Sequence, residues 1–364
     1  MRRQRVQHAV ATPPPVHFPH STRLRAGAAV TRSASAAIAA VMILIPAAAG
    51  ASSITSFEAN IVAAHSESEG WTGEVPGSQR NSIGFEHVAR FSGERGDFLT
   101  VNLQARLTYD TSTCLEDAVA LELHNAYAEW RIGLGRGLRL GHFAPEFGAE
   151  PSLDTHGTLL QSLAIRSLGF KKDWGVGYRA ALGPLDLGVS AQIGSGMGIQ
   201  RRDGSYLVSA RVGTPTRGNG RVGASMLVGR VLSADAPRLY PSPRYSPSAA
   251  HKVRVCVDGQ YVAGPLTLIG EAVAGRDENL DVLGGLLRAD VTGLPIEKLV
   301  IKCQVSAWTD DLGDEDRLDS GASLVAEYAI TSGWTLRGLI STPLGGRSAA
   351  ETASLAIQAY FIGG

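Results

Sequence analysis

The sequence predicts an all-β chain: a transmembrane antiparallel up-and-down barrel of about sixteen strands. Three observations carry that prediction. The first is a period of two. In Leu99 to Tyr109 (LTVNLQARLTY), Leu99, Val101, Leu103, Ala105, Leu107 and Tyr109 share one face, while Asn102, Gln104, Arg106 and Thr108 share the other. Successive side chains of a strand face opposite sides of the pleat, so this alternation marks a strand with one apolar and one polar side. The second is length. At about 3.3 Å per residue the run spans roughly 36 Å, and a tilt of about 45° leaves about 25 Å of height, the apolar band of a membrane barrel. The third is punctuation: tight turns alternate with longer connections, as when short turns occupy one rim of a barrel and long loops the other.

Residues 1–51 read as a targeting segment, and 52–364 as the barrel. Arg23, Arg25 and Arg32 form a basic region, Ala36 to Ile45 (AAIAAVMILI) a short apolar core, and Ala49-Gly50-Ala51 a small-residue cleavage site before Ser52. Beyond it the alternation is clearest at Trp174-Val176-Tyr178-Ala180, Leu185-Leu187-Val189-Ala191-Ile193, Tyr206-Val208-Ala210-Val212, Val253-Val255-Val257 and Leu355-Ile357-Ala359-Phe361. Further candidates lie at 54–64, 83–91, 119–131, 136–143, 219–231, 264–275, 280–290, 296–309, 317–331 and 333–342. Leu182-Gly183-Pro184, Ala263-Gly264-Pro265, Gly293-Leu294-Pro295 and Ser332-Gly333 read as tight turns. The stretches near 110–118, 144–172, 194–204, 232–250, 309–317 and 341–350 read as long loops.

Composition narrows the function classes. The 34 basic and 34 acidic side chains cancel, so the chain lacks the basic excess of a nucleic-acid binder. No apolar run reaches the 18 or so residues of a membrane-spanning helix. Cys114, Cys256 and Cys303 form neither a CxxC pair nor a dense framework. There is no G-x-S-x-G elbow and no H-E-x-x-H, so the sequence predicts a non-enzyme with no cofactor. Gly194-Ser195-Gly196-Met197-Gly198 lacks the Lys and following helix of a phosphate-cradling loop and reads as a flexible connection. The cluster Asp310, Asp311, Asp314, Glu315 and Asp316 lacks the spacing of a calcium loop and reads as a solvated tip.

In a barrel the functional side chains line the lumen. The polar faces nominate Arg106, Arg179, Arg211, Lys252, Arg254, Lys302 and Arg337 as pore cations, against Glu86, Asp186, Asp258, Glu271 and Glu327. Basic rings favour anions. These charges also pair readily across strands, which would keep the lumen wet without selecting. The loop 144–172 is the candidate to fold inward as a constriction, with Asp154 and His156 near its middle and Lys171 and Lys172 at its end. An ordinary surface loop is the alternative. Trp130, Trp174, Trp308 and Trp334 fall near strand ends, where amphipathic rings settle at the membrane–water boundary. His142 reads as a plain strand residue.

Residues 125–150 carry a family cue: Asn125-Ala126-Tyr127-Ala128-Glu129-Trp130, then Leu138-Arg139-Leu140-Gly141-His142-Phe143-Ala144-Pro145-Glu146-Phe147-Gly148. They resemble the strand–turn–strand of the phosphate-selective porin O/P family, and Trp174-Gly175-Val176 and Leu182-Gly183-Pro184-Leu185 continue in that style. The resemblance implies a sixteen-stranded outer-membrane porin, a homotrimer in lipid that passes small polar or anionic solutes. It also implies a partner in the barrel-insertion machinery, which reads a terminal aromatic; here Phe361 is followed by Ile362-Gly363-Gly364. Two other readings stay open: a plugged barrel serving as adhesin or scaffold, and a secreted soluble all-β protein with a dry core.

Overall fold

The computed structural model describes residues 51–67, 70–75, 79–94, 96–109, 119–153, 155–199, 203–215, 218–232, 248–314, 317–346 and 354–364. Residues 1–50, where the sequence predicts a targeting segment, together with Cys114, Asp154, the proline-rich stretch 233–247, Glu315 and Asp316, lie outside the described residues.

The strands are β1 (Ala51–Ser66), β2 (Gly70–Thr72), β3 (Glu74–Val75), β4 (Gln79–Gly93), β5 (Gly96–Tyr109), β6 (Val119–Gly133), β7 (Arg136–Phe143), β8 (Asp173–Leu182) and β9 (Leu185–Gln192). They continue as β10 (Tyr206–Gly213), β11 (Gly220–Leu232), β12 (Ala249–Ala263), β13 (Leu266–Asp277), β14 (Leu280–Val291), β15 (Leu299–Thr309), β16 (Leu318–Ala329), β17 (Trp334–Gly346) and β18 (Ser354–Gly363). Strands β2 and β3 extend the β1–β4 pair at one rim. The other sixteen form a closed antiparallel barrel, each strand pairing with its sequence neighbours. Closure comes from β1 and β18, in register from Phe57↔Gly363 to His65↔Leu355. A ring leaves no sheet edge unpaired, the condition for crossing hydrocarbon with strands.

Strand β12 shows which way the faces point. Val253, Val255 and Val257 are 53%, 56% and 62% exposed, while Arg254, Cys256 and Asp258 between them are 1%, 3% and 2% exposed. Apolar side chains therefore face out and charged ones face in, the inverse of a soluble fold. The same parity runs through β11, β13 and β14, where Val222, Met226, Leu268, Leu283 and Leu287 are exposed. A soluble protein with a dry core does not have this surface.

Turns follow from local chemistry. Gly183 and Gly264 open two-residue turns at φ 65° and 59°, each followed by proline, and glycine takes that backbone without steric cost. The alternation of short and long connections breaks once. Strands β13 and β14 join on the long-loop rim through Glu278 and Asn279 alone. Glu278 sits at φ 50° and is held by His251: its N–H donates to the His251 carbonyl (2.8 Å) and its carboxylate accepts the His251 N–H (2.8 Å). The connection at Gly293-Leu294-Pro295 is longer than a tight turn, running from Thr292 to Lys298 between β14 and β15.

Candidate functional site

Parity fixes the inner wall. All seven basic residues nominated from the sequence share it, and each has an acidic partner. Arg106 on β5 meets Glu122 on β6 at 2.7 Å, Arg179 on β8 meets Glu146 at 2.6 Å, and Arg211 on β10 meets Asp258 on β12 at 2.6 Å. Arg254 reaches Asp277 at 2.6 Å and Lys252 lies 3.8 Å from the same residue. Lys302 and Arg337 share Glu327 at 2.8 and 2.7 Å. Of the other nominated acids, Glu86 accepts from the Asn102 amide (2.9 Å) and Asp186 sits at the exposed start of β9. The wall is charged throughout but balanced locally.

Segment 144–172 lies inside this wall. Gly148 N–H donates to Ser225 Oγ of β11 (2.9 Å), and Ala149 and Leu163 N–H donate to the Glu271 carboxylate of β13 (3.2 and 3.1 Å). On the opposite side the Gly157 carbonyl accepts from Arg337 of β17 (2.7 Å) and Gln358 of β18 (3.2 Å), and the Thr158 carbonyl from Gln79 of β4 (3.0 Å). The Ser167 carbonyl accepts from Lys252 (3.3 Å). A segment anchored on β4, β11, β13 and β17 at once crosses the interior of the ring.

Packing reinforces the anchors. Leu159 and Leu160 bury against Ala64, Val325, Leu339 and Ala356. Leu163, Leu168 and Phe170, flanking and including helix α1 (Ala164–Leu168), bury against Leu207, Leu227, Val273, Val282 and Leu286. These apolar residues have inward parity, so the wall is greasy beneath the segment's leucines and Phe170 and polar at its backbone anchors. At the tip His156 Nε2 lies 2.5 Å from Glu58 Oε2, and the Tyr360 hydroxyl donates to the same oxygen (3.1 Å).

No protein-family model and no curated protein matches the sequence. Solved structures do match. OmpF of Salmonella typhi, solved with daunomycin, aligns over 86% of this chain and 98% of its own, with a TM-score of 0.63 and 10% identity. An anion-selective porin from Comamonas acidovorans aligns over 86% and 99%, with a TM-score of 0.59 and 10% identity. The outer-membrane protein OmpT of Vibrio cholerae, in a trimer form, aligns over 86% and 100%, with a TM-score of 0.59 and 12% identity. The fold is that of the bacterial outer-membrane porins.

Basic groups converge where the segment rejoins the wall. Lys172 Nζ donates to Asn125 Oδ1 of β6 (3.0 Å) and Lys171 Nζ to Thr155 Oγ1 (2.7 Å). His124, the extra residue where the β5–β6 register shifts, stacks edge-on against His156 with centroids 4.1 Å apart. Arg106, Lys171 and Lys172 all lie within electrostatic range of it. His124 and the partners Glu58, Glu122 and Asp277 belong to no motif: their parity is legible in the sequence, but which strands face each other across a bulge is not, and Glu146 lies beyond the end of β7.

The tryptophans divide. Trp130 and Trp334 face out, more than a third exposed, near the short-turn rim. Trp174 also has outward parity but is half covered, stacking on His142 (5.2 Å) and donating from Nε1 to the Met197 carbonyl (3.1 Å). Trp308 does not belong with them. It shares the parity of Lys302, is buried with Leu286 and Phe170, and lies 5.8 Å from the Arg254 guanidinium. Gly284, opposite it on β14, leaves the room its ring occupies. Nor is 194–198 a free connection: the Asp173 carboxylate takes the Gly194 N–H (2.6 Å), and Met197 packs on Ala105 and Leu123 where β6 runs past the end of β7. Of the cysteines, Cys256 faces in and Cys303 out.

Proposed function

We propose that the chain is an outer-membrane porin, a water-filled barrel through which small polar solutes diffuse, with segment 144–172 as its constriction. The observation that carries this reading is the inversion in β12: a surface of exposed valines suits acyl chains, and a wall of paired charges suits water. On this reading Arg106, Arg179, Arg211, Lys252, Lys302 and Arg337 line the lumen and keep it hydrated, while Arg254 shares their wall but is covered by Trp308. His156 belongs to the constriction, and Trp130, Trp174 and Trp334 settle at the membrane boundary.

A preference for anions is supported by Lys171 and Lys172, which stand close to Arg106 where the segment rejoins the wall, since basic groups attract anions. The resemblance of residues 125–150 to phosphate-selective porins points the same way. A homotrimer is supported by Thr55 Oγ1 and His87 Nδ1, which bond at 2.8 Å on the outer face of β1 and β4. Polar side chains facing hydrocarbon are costly, and a second copy offers them a partner surface. The Vibrio cholerae neighbour was itself solved as a trimer.

Planar-bilayer recording tests the reading. A porin gives steady current in symmetric salt; a plugged barrel acting as adhesin or scaffold gives none. Reversal potential under a salt gradient then reads the ion preference.

A further inference from the structure

A cavity of about 500 Å³ lies between residues 159–166 and the inner wall of β14 to β18. Small-molecule sites fall in the range of about 300–1,000 Å³. Two residues deeper than Ser323 on β16 and Ser341 on β17, Val325 and Leu339 pack on Leu159 and Leu160 at the cavity's lower end. Its upper lining includes Thr342 and Pro343, so it opens to the long-loop rim.

Its lining is two-sided. Leu160, Leu286 and Trp308 form an apolar surface, while Gln304, Ser306 and Ser323 present an amide and two hydroxyls. The lining Arg166 and Asp319 neutralise each other in an ion pair. Among the described residues no other Lys, Arg, Asp or Glu lines it. The Gln304 Oε1 is buried and accepts no hydrogen bond, so turning that amide towards an occupant breaks no bond to its oxygen. An ion gains nothing in such a place, and a purely apolar ligand would strand the amide and hydroxyls without partners. A ligand with one C–H face and one hydroxyl edge satisfies both sides.

We propose that this cavity binds a neutral polyhydroxylated solute of the sugar type, entering from the long-loop side. Binding there is read by dialysis and does not rest on the porin reading. The test is equilibrium dialysis of radiolabelled maltose against the full-length barrel in a non-glycosidic detergent. Saturable binding is expected. Ser306→Phe, which fills the cavity from the wall, and Gln304→Leu, which keeps the shape but removes the amide, each weaken it at least tenfold. Radiolabelled gluconate, which carries a charge, binds at least tenfold more weakly than maltose. Heat-modifiable gel migration verifies that each variant is a folded barrel.

Absence of saturable maltose binding overturns the proposal. So does a folded Gln304→Leu barrel that binds as the parent does, or gluconate binding equal to that of maltose. Bilayer recording of the same preparation separates the two readings: a barrel that binds maltose but carries no current loses the porin reading and keeps this one.

Discussion

The His156 imidazole lies 2.5 Å from the Glu58 carboxylate, joining residues 98 positions apart in the chain. The contact holds the tip of the inward segment to β1. Glu58→Ala removes the acceptor of both His156 and the Tyr360 hydroxyl, a change worth about 1–3 kcal/mol. The variant is expected to convert to its unfolded gel form at lower temperature and to give a noisier single-channel current. A current as quiet as the parent's would show that the tip is held without this contact.

Two basic residues on the same wall are expected to behave differently. Lys172 stands at the convergence of basic groups beside Asn125, so Lys172→Glu should move the reversal potential towards cation preference. The shift should shrink in molar salt, where the screening length falls to about 3 Å. Arg254 is buried beneath Trp308 and ion-paired with Asp277, so Arg254→Gln should leave selectivity alone and lower stability. Equal effects of the two on reversal potential would contradict this division.

The neighbours Val255 and Cys256 test the orientation of the faces. Val255→Arg places a charge on the outer surface near the middle of β12, at a cost of about 2–4 kcal/mol in a bilayer. Cys256→Ser, on the inner wall between Arg254 and Asp258, should cost far less. Folding yields into lipid vesicles measure both, and a harmless Val255→Arg would remove the lipid from that face.

Trp308 and Trp130 should also separate. Trp308→Ala empties a packed site and is expected to cost about 3–5 kcal/mol in chemical unfolding. Trp130→Ala changes a ring already more than a third exposed, so its cost should be much smaller. Similar costs would place the two rings in similar surroundings.

What the sequence disclosed follows from which interactions are local. Alternation in Leu99–Tyr109 or Val253–Val257 is a two-residue property, and the strands it predicts are the strands found as β5 and β12. For Trp308 two sequence signals conflict: proximity to a strand end points to the membrane boundary, but Lys302 and Trp308 are an even number of positions apart on one strand, and it is parity that the structure obeys. That the nominated cations pair across strands is legible in the sequence; which acid each one takes is not, because the partner often lies on a different strand, as Asp258 does for Arg211. The course of 144–172 rests on contacts such as Arg337 with Gly157, which local pattern does not encode. The candidate strands 264–275 and 280–290 leave room for only a short β13–β14 connection, but its tightening to two residues is not legible, because Glu278 is not a residue that advertises positive φ.

The tip of the inward segment touches both sides of the junction between the first and last strands. Glu58 of β1 meets His156, Gln358 of β18 meets the Gly157 carbonyl, and Gln358 also donates to Asn60 across that junction at 2.8 Å. The middle of the chain thus acts as a clasp on the place where its two ends come together. Residues 156–157 hold both strands of the closing pair, and loosening that pair loosens the segment's tip with it.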